Sequence, residues 1–187
     1  MGLSSHQSAR MGNDEWLTPP EIVAACGPFD LDPCAPIKRP WPTAALHFTI
    51  KSDGLARSWG ERRVWLNPPF GQEAIKWIQK AALHGNAIAL IPARTETAMF
   101  QDWVWGRADA VLFLRGRPHF HFVDGRRAPF NSGAPICLVA YGAENARVLR
   151  EAVSRGALAG HVVDAKQKTE ATEASAMGDA LNEKGAG

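Results

Sequence analysis

The chain has little from which to build a covalent or metal-held frame. Its three cysteines, Cys26, Cys34 and Cys137, are an odd number and show no C-x-x-C spacing. That pattern argues against a disulfide scaffold or a cysteine zinc site and suits a reducing cytoplasm. Long hydrophobic runs are also missing, since none approaches the roughly 20 residues a membrane-spanning helix needs. The first residues lack the basic-then-apolar pattern of a secretory signal. His119 and His121 share a strand face but have no third ligand beside them, so no metal is expected. No internal repeat stands out. Charge of one sign is not in excess either, with a net of +2 over 187 residues. What is present is an ordinary globular composition, 45% hydrophobic and 21% charged. This length holds one full hydrophobic core but not two comfortable ones.

The ends differ from the middle. Residues 1–13 are rich in Ser, Gln, Gly and Asn and read as a disordered lead-in. Residues 164–187 carry three lysines and five acids without periodicity, and read as a flexible tail. One domain is therefore expected over 14–163, and removing that tail from the sum leaves the rest at about +4. The surplus is clearest between Arg115 and Arg127, where Arg115, Arg117, Arg126 and Arg127 face only Asp124 and alternate with rings. This is a candidate nucleic-acid arm, its plain alternative being a solvated hairpin.

Along the domain, Thr18-Pro19-Pro20-Glu21 has the spacing of a capping box with proline in the first turn, predicting a short helix to about Cys26. Phe29 to Asp32 alternates ring, acid, aliphatic and acid, then breaks at Pro33, which predicts a short strand with Asp32 at its carboxyl end. Three prolines between residues 36 and 42 forbid a regular element, and Leu46 to Ile50 suits a short strand. Arg63 to Leu66 is another strand. A helical period follows from Gln72 to Leu83, stopped by Gly85-Asn86. Ala87 to Pro92, Ala110 to Leu114 and Pro135 to Tyr141 are apolar throughout, as buried strands are. Helices are expected from Glu96 to about Trp105 and from Ala143 to Ala157. The alternation of strands and helices predicts an open, mostly parallel α/β sheet with helices on both faces. Ligands of such sheets sit beyond the carboxyl ends of the strands, where Asp32, Asn67, Arg94 and Thr95 fall.

Asn67-Pro68-Pro69-Phe70 is the most informative of these sites. Each proline fixes φ and removes a backbone donor, so the strand must stop pairing there. Nearby carbonyls are left unengaged, an amide precedes them and a ring follows. An exocyclic amine on a flat ring fits this set. Its lone pair is delocalised into the ring, and transfer of a group to it would make the nitrogen pyramidal and positive. The Asn67 side-chain oxygen and the Pro68 carbonyl would accept its two N–H bonds and favour that charged state over the flat one. Phe70 would stack on the base, worth about 1–3 kcal/mol. Cytosine C5 chemistry would instead need a nucleophilic cysteine.

Taken in order, Trp16-Leu17-Thr18-Pro19-Pro20, Leu31-Asp32-Pro33-Cys34-Ala35, Asp53-Gly54-Leu55, Trp65 to Phe70, Pro92-Ala93-Arg94-Thr95 and Gly116-Arg117 form a series. The series resembles the phage-type DNA N6-adenine methyltransferase (Dam) family, small S-adenosylmethionine-dependent enzymes of bacteriophages and prophages. The resemblance runs from about Glu15 to Tyr141. It implies a Rossmann-like methyltransferase fold with reduced peripheral elements, the stretch between Ala35 and Gly60 being too short for two full βα units. It implies a site-specific, adenine-directed enzyme acting in the cytoplasm of a bacterial host.

The same resemblance implies residue roles. Asp32, Pro33 and Cys34 would form the cofactor loop, without the glycine-rich run common in methyltransferases. Thr18 and Pro19, with Trp16 beside them, would touch the methionine end. Asp53 would hold the ribose or adenine end, or else serve only its turn. A duplex hides the adenine amine, so the base must flip out or be single-stranded already. DNA contacts would come from Arg94, Thr95, Arg115, Arg117, His119, His121, Arg126 and Arg127, with Phe120, Phe122 or His121 filling the space the base leaves. No segment is large enough for a separate target-reading domain, which favours a short or relaxed site. Rival readings are a methyltransferase for another planar amine, on RNA or a protein glutamine, and a non-catalytic binding module on the same fold.

Overall fold

A computed structural model describes residues 15–166. The readings of residues 1–13 and of the chain beyond residue 166 lie outside it. Element order is α1 (Pro20–Cys26), β1 (Leu31–Asp32), β2 (Leu46–His47), β3 (Val64–Leu66), α2 (Ala74–His84), β4 (Ala87–Pro92), α3 (Ala98–Trp103), β5 (Ala110–Leu114), β6 (Ile136–Tyr141), α4 (Ala143–Ser154) and β7 (Gly160–Asp164). The seven strands form one sheet in the order β2-β1-β3-β4-β6-β5-β7. β1 to β5 run one way, while β6 and β7 run against them.

The apolar runs explain the layering. Successive residues of a strand point to opposite faces, and a strand covered on both sides is apolar at every position. In β4, Ile88 and Leu90 pack on one face with Ile22 and Val23 of α1 and Leu149 of α4. Ala87, Ala89 and Ile91 pack on the other face with Trp77 and Ile78 of α2 and Phe100 of α3. The expected sheet with helices on both faces is what forms. Gly85 ends α2 in the left-handed conformation, φ 74°, which glycine adopts without strain.

Three features differ from the sequence reading. Thr18 does not cap α1. Pro19 occupies the N-cap without any side-chain bond, and the Thr18 hydroxyl is buried with no partner. Residues 160–163, given no element in the sequence reading, and Asp164, read as the first residue of the tail, belong to one strand. This is edge strand β7, paired with β5 from Gly160 to Asp164, so the composition-based boundary at 163 falls inside a strand. The segment 119–122 makes no regular hairpin; only isolated bridges join His121 to Leu17 and to Arg127.

At the amino end of the sheet, Arg63 ties the layers together. Its guanidinium donates to Asn145 Oδ1 (2.8 Å), Pro28 O (2.6 Å) and Cys26 O (2.8 Å) and lies over the Phe29 ring. The opposite, carboxyl end of the parallel strands is open. There β1, β3, β4 and β5 deliver their following loops to one edge, and the 21 residues between β5 and β6 leave and return beside β4.

Candidate active site

β3 stops at Leu66 because the next residues cannot pair, and Asn67 to Phe70 turn outward over the sheet edge. They form one wall of a cleft of about 830 Å³. The facing wall comes from Pro33 to Pro36 after β1 and from Thr49, Ile50, Asp53 and Gly54 after β2. Glu15 and Trp16 border the cleft from the N-terminal side, and Trp77 of α2 lies at its floor. Two motifs far apart in sequence therefore face each other across one cavity.

Asn67 is the best-defined group in it. Its Nδ2 donates to the Trp16 carbonyl at 3.0 Å, which fixes the amide so that Oδ1 points the other way. That oxygen is buried and has no hydrogen-bond partner. An unpaired buried carbonyl costs about 1–3 kcal/mol, so it is a natural acceptor for an incoming donor. Pro68 is buried, and its carbonyl accepts no backbone bond among the described residues. Phe70 is 46% exposed, with the edge of one ring meeting the face of the other where it contacts Phe120 at 6.0 Å. Asn67, Pro68 and Phe70 thus lie together on one wall of the cleft.

Asp32 has a different surrounding from the one expected. Its carboxylate is 3% exposed and turned inward, accepting from Cys34 N at 3.0 Å and from Thr43 Oγ1 at 2.5 Å. Burial pushes it from 3.8 up to about 6, against the pull of those bonds and of Arg39. It shapes the loop after β1, and Pro33 and Cys34 supply the cleft wall. Burial, with the nearby Asp32 charge, pushes the Cys34 thiol up to about 12. Such a thiol stays protonated at neutral pH and is unsuited to nucleophilic attack. Trp16 borders the cleft, whereas Thr18 is buried and does not line it, and Pro19 borders a separate pocket.

Asp53 lines the cleft in the left-handed conformation, φ 49°. One oxygen accepts from Leu55 N and Ala56 N, both at 3.2 Å, so its turn role is satisfied by Oδ1. Oδ2 has no partner among the described residues. Gly54 presses against the loop after β1 so closely that a Cβ would lie 1.9 Å from Pro33 O. Lys80 and Trp59 hold it there. The ammonium donates to Gly54 O (3.2 Å), Leu55 O (2.5 Å) and Arg57 O (2.6 Å), and the indole donates to Gly54 O at 2.8 Å. Neither residue stands out in the sequence, because α2 gives Lys80 an ordinary helical position and only the fold brings it to residue 54.

The basic residues separate into groups. Arg94 and Thr95 follow β4 on the same sheet edge but do not line the cleft. Arg115, Arg117, His119 and Arg127 border a second pocket of about 320 Å³ with Pro19 and Glu21. Arg115, Arg117 and Arg127 are exposed and form no ion pair among the described residues, and Arg117 donates to Gly133 O at 3.4 Å. Arg126 instead pairs with Asp124 at 2.7 Å and lies over Phe122. His119 bonds the Ala128 carbonyl at 3.1 Å, and the His121 ring sits edge-on to Trp41. No group of three potential metal ligands occurs among the described residues.

The arm is packed, not free. Leu17 and His121 exchange backbone bonds of 2.9 Å, and Trp16 stacks obliquely on Phe122 at 5.1 Å. Phe120 is 5% exposed beneath Phe70. Of the three rings nominated to fill a flipped base's place, all are engaged with the protein. The exposed apolar side chains are others: Phe70 and Ile50 at the cleft, and Phe130 on the arm.

The α/β sheet, its mostly parallel core covered by helices on both faces, is a Rossmann-like methyltransferase fold. A family model described as DNA N-6-adenine-methyltransferase (Dam) matches residues 5–159. The chain belongs to that family, whose members methylate adenine N6 in DNA. No curated protein and no solved structure matches the chain.

Proposed function

We propose that this protein methylates the N6 amine of an adenine presented outside the base stack of DNA, using S-adenosylmethionine. The observation that carries this reading is Asn67 Oδ1, buried and unpartnered, with its amide held in one orientation by the Trp16 carbonyl. The cleft's chemistry fits the cofactor. Pro33, Cys34, Asp53 and Trp16 would hold it, with the free Asp53 oxygen available to a hydroxyl or amine. When bound, it supplies an electrophilic methyl group.

The protein's own residues do the rest. Asn67 Oδ1 and the Pro68 carbonyl accept the two amine hydrogens, and their pull grows as the nitrogen becomes positive. Such an oriented acceptor is worth about 10²–10³ in rate. Phe70 supports one base face. No base is needed before transfer, since the product amine loses its extra proton afterwards to water. Arg115, Arg117 and Arg127, which form no ion pair among the described residues, supply phosphate contacts, and the target sequence is short or relaxed. Action in the cytoplasm of a bacterial host carrying a phage or prophage is part of the same reading.

Incubation with methyl-labelled S-adenosylmethionine and DNA, RNA or protein in parallel tests this. Label is expected in DNA as N6-methyladenine. Label confined to RNA or to protein glutamine refutes the reading, and no transfer with intact cofactor binding favours a non-catalytic module.

A further inference from the structure

Phe130 is 78% exposed, the most exposed aromatic ring among the described residues. Its exposure is not that of a loose loop. On one side Ala128 is buried and its N–H donates to Phe120 O at 2.8 Å. On the other, Ser132 is buried, its N–H donates to Pro118 O at 2.8 Å and its hydroxyl to Ala134 O at 2.9 Å. Pro129 fixes φ immediately before the ring. Residues 129–131 therefore form a three-residue tip clamped at both ends onto the Pro118–Phe120 segment. That segment reaches the site directly, because the Phe120 ring touches Phe70.

The surroundings select the partner. Arg127 stands three residues before the ring and Arg117 reaches Gly133 O on the anchoring side; both are exposed and form no ion pair among the described residues. Cations beside an exposed ring suit a ligand with anions outside and flat apolar faces inside, which describes stacked DNA. Apolar side chains that enter a base step beside phosphate-binding arginines are a general way of unstacking a duplex. Turning one adenine outward leaves a gap of one ring's thickness, and unfilled it favours return of the base. Phe120, Phe122 and His121 are committed to Phe70, Trp16 and Trp41.

Resting on the proposed adenine methylation, we infer that Phe130 enters the base stack at the target and occupies the place of the outward-turned adenine. The ring acts on base position and not on the transfer itself, so it is a positioning residue. Its removal is harmful only when the adenine has a partner and neighbours to leave.

The test compares wild type, Phe130→Ala and Phe130→Trp on oligonucleotides built around an adenine already mapped as methylated. Three forms are used: a paired duplex, a duplex with an abasic site opposite the adenine, and a single strand. Phe130→Ala is expected to lose about tenfold or more in kcat/KM on the paired duplex and less than about twofold on the other two. Phe130→Trp should retain duplex activity. With 2-aminopurine at the target, wild type should raise the fluorescence on binding and Phe130→Ala should not. Equal loss on all three substrates, or no loss on the duplex, overturns the inference while leaving adenine methylation intact. Wild-type transfer confined to RNA or protein overturns both readings. An unchanged melting temperature for Phe130→Ala confirms that folding is not the cause.

Discussion

Asp32→Asn should change how stability depends on pH, and the sign follows from burial. The carboxyl titrates at about 6 in the folded protein against 3.8 when ordinary. The folded state therefore holds this proton more tightly than the unfolded one. Its contribution is fully present below pH ~4, falls as pH rises to about 6 and is flat above that. Each pKa unit corresponds to about 1.4 kcal/mol, so the fall is about 3 kcal/mol at most. An asparagine of the same shape keeps the bond from Cys34 N and carries no charge to bury. His47, beside it and held low by burial and Arg39, titrates with the opposite sign, but it is present in both proteins. Urea denaturation of wild type and variant, at half-unit steps from pH 4.5 to 7.5, isolates the term as a difference. The variant should gain on wild type by about 2 kcal/mol across that range, most of it below pH 6.5. A difference that is flat, or that shrinks as pH rises, refutes the buried-charge assignment. Thr43→Val removes a bond that favours the anion, so the window should move to higher pH.

Further outcomes separate the two walls of the cleft. Asn67→Ala should lower kcat by about 10²–10³ while S-adenosylmethionine binding, followed by calorimetry, stays within a few fold. Gly54→Ala puts a methyl against Pro33 O and should cost about 1–3 kcal/mol in chemical denaturation, with a raised KM for the cofactor. Lys80→Met frees three carbonyls; a loss of about 1–3 kcal/mol and a raised cofactor KM at near-normal kcat are expected. Arg63→Met lies at the far end of the sheet, so it should lower the free energy of unfolding by about 2–4 kcal/mol without altering either KM.

Much of the fold is local in origin and so was legible. Ala87 to Pro92 reads as buried because all its residues are apolar, and Gly85 reads as a stop because only glycine suits φ 74°. Elements without such patterns escaped. β7 alternates half-exposed and exposed residues at a sheet edge, and Gly160-His161-Val162-Val163-Asp164 alone resembles loop as much as strand. The Thr18 capping box had the right spacing, but Leu17 is drawn into a bridge with His121, and the hydroxyl beside it has nothing to bond. A tertiary pairing there outweighed a local preference.

The sequence by itself determined that a strand must end at Asn67-Pro68-Pro69-Phe70 and that two acceptors and a ring would follow. Those are properties of prolines, an amide and an aromatic side chain in a row. Only the tertiary structure decided which way the Asn67 amide faces, since its orienting partner is the Trp16 carbonyl, 51 residues away. It likewise buried Phe120, engaged Phe122 and left Phe130 outside. Rings in one short segment look alike to a pattern of alternation, and what distinguishes them is which other segment packs against each. Backbone preference is encoded over a few residues, whereas burial and hydrogen-bond partners depend on chain segments brought together by folding.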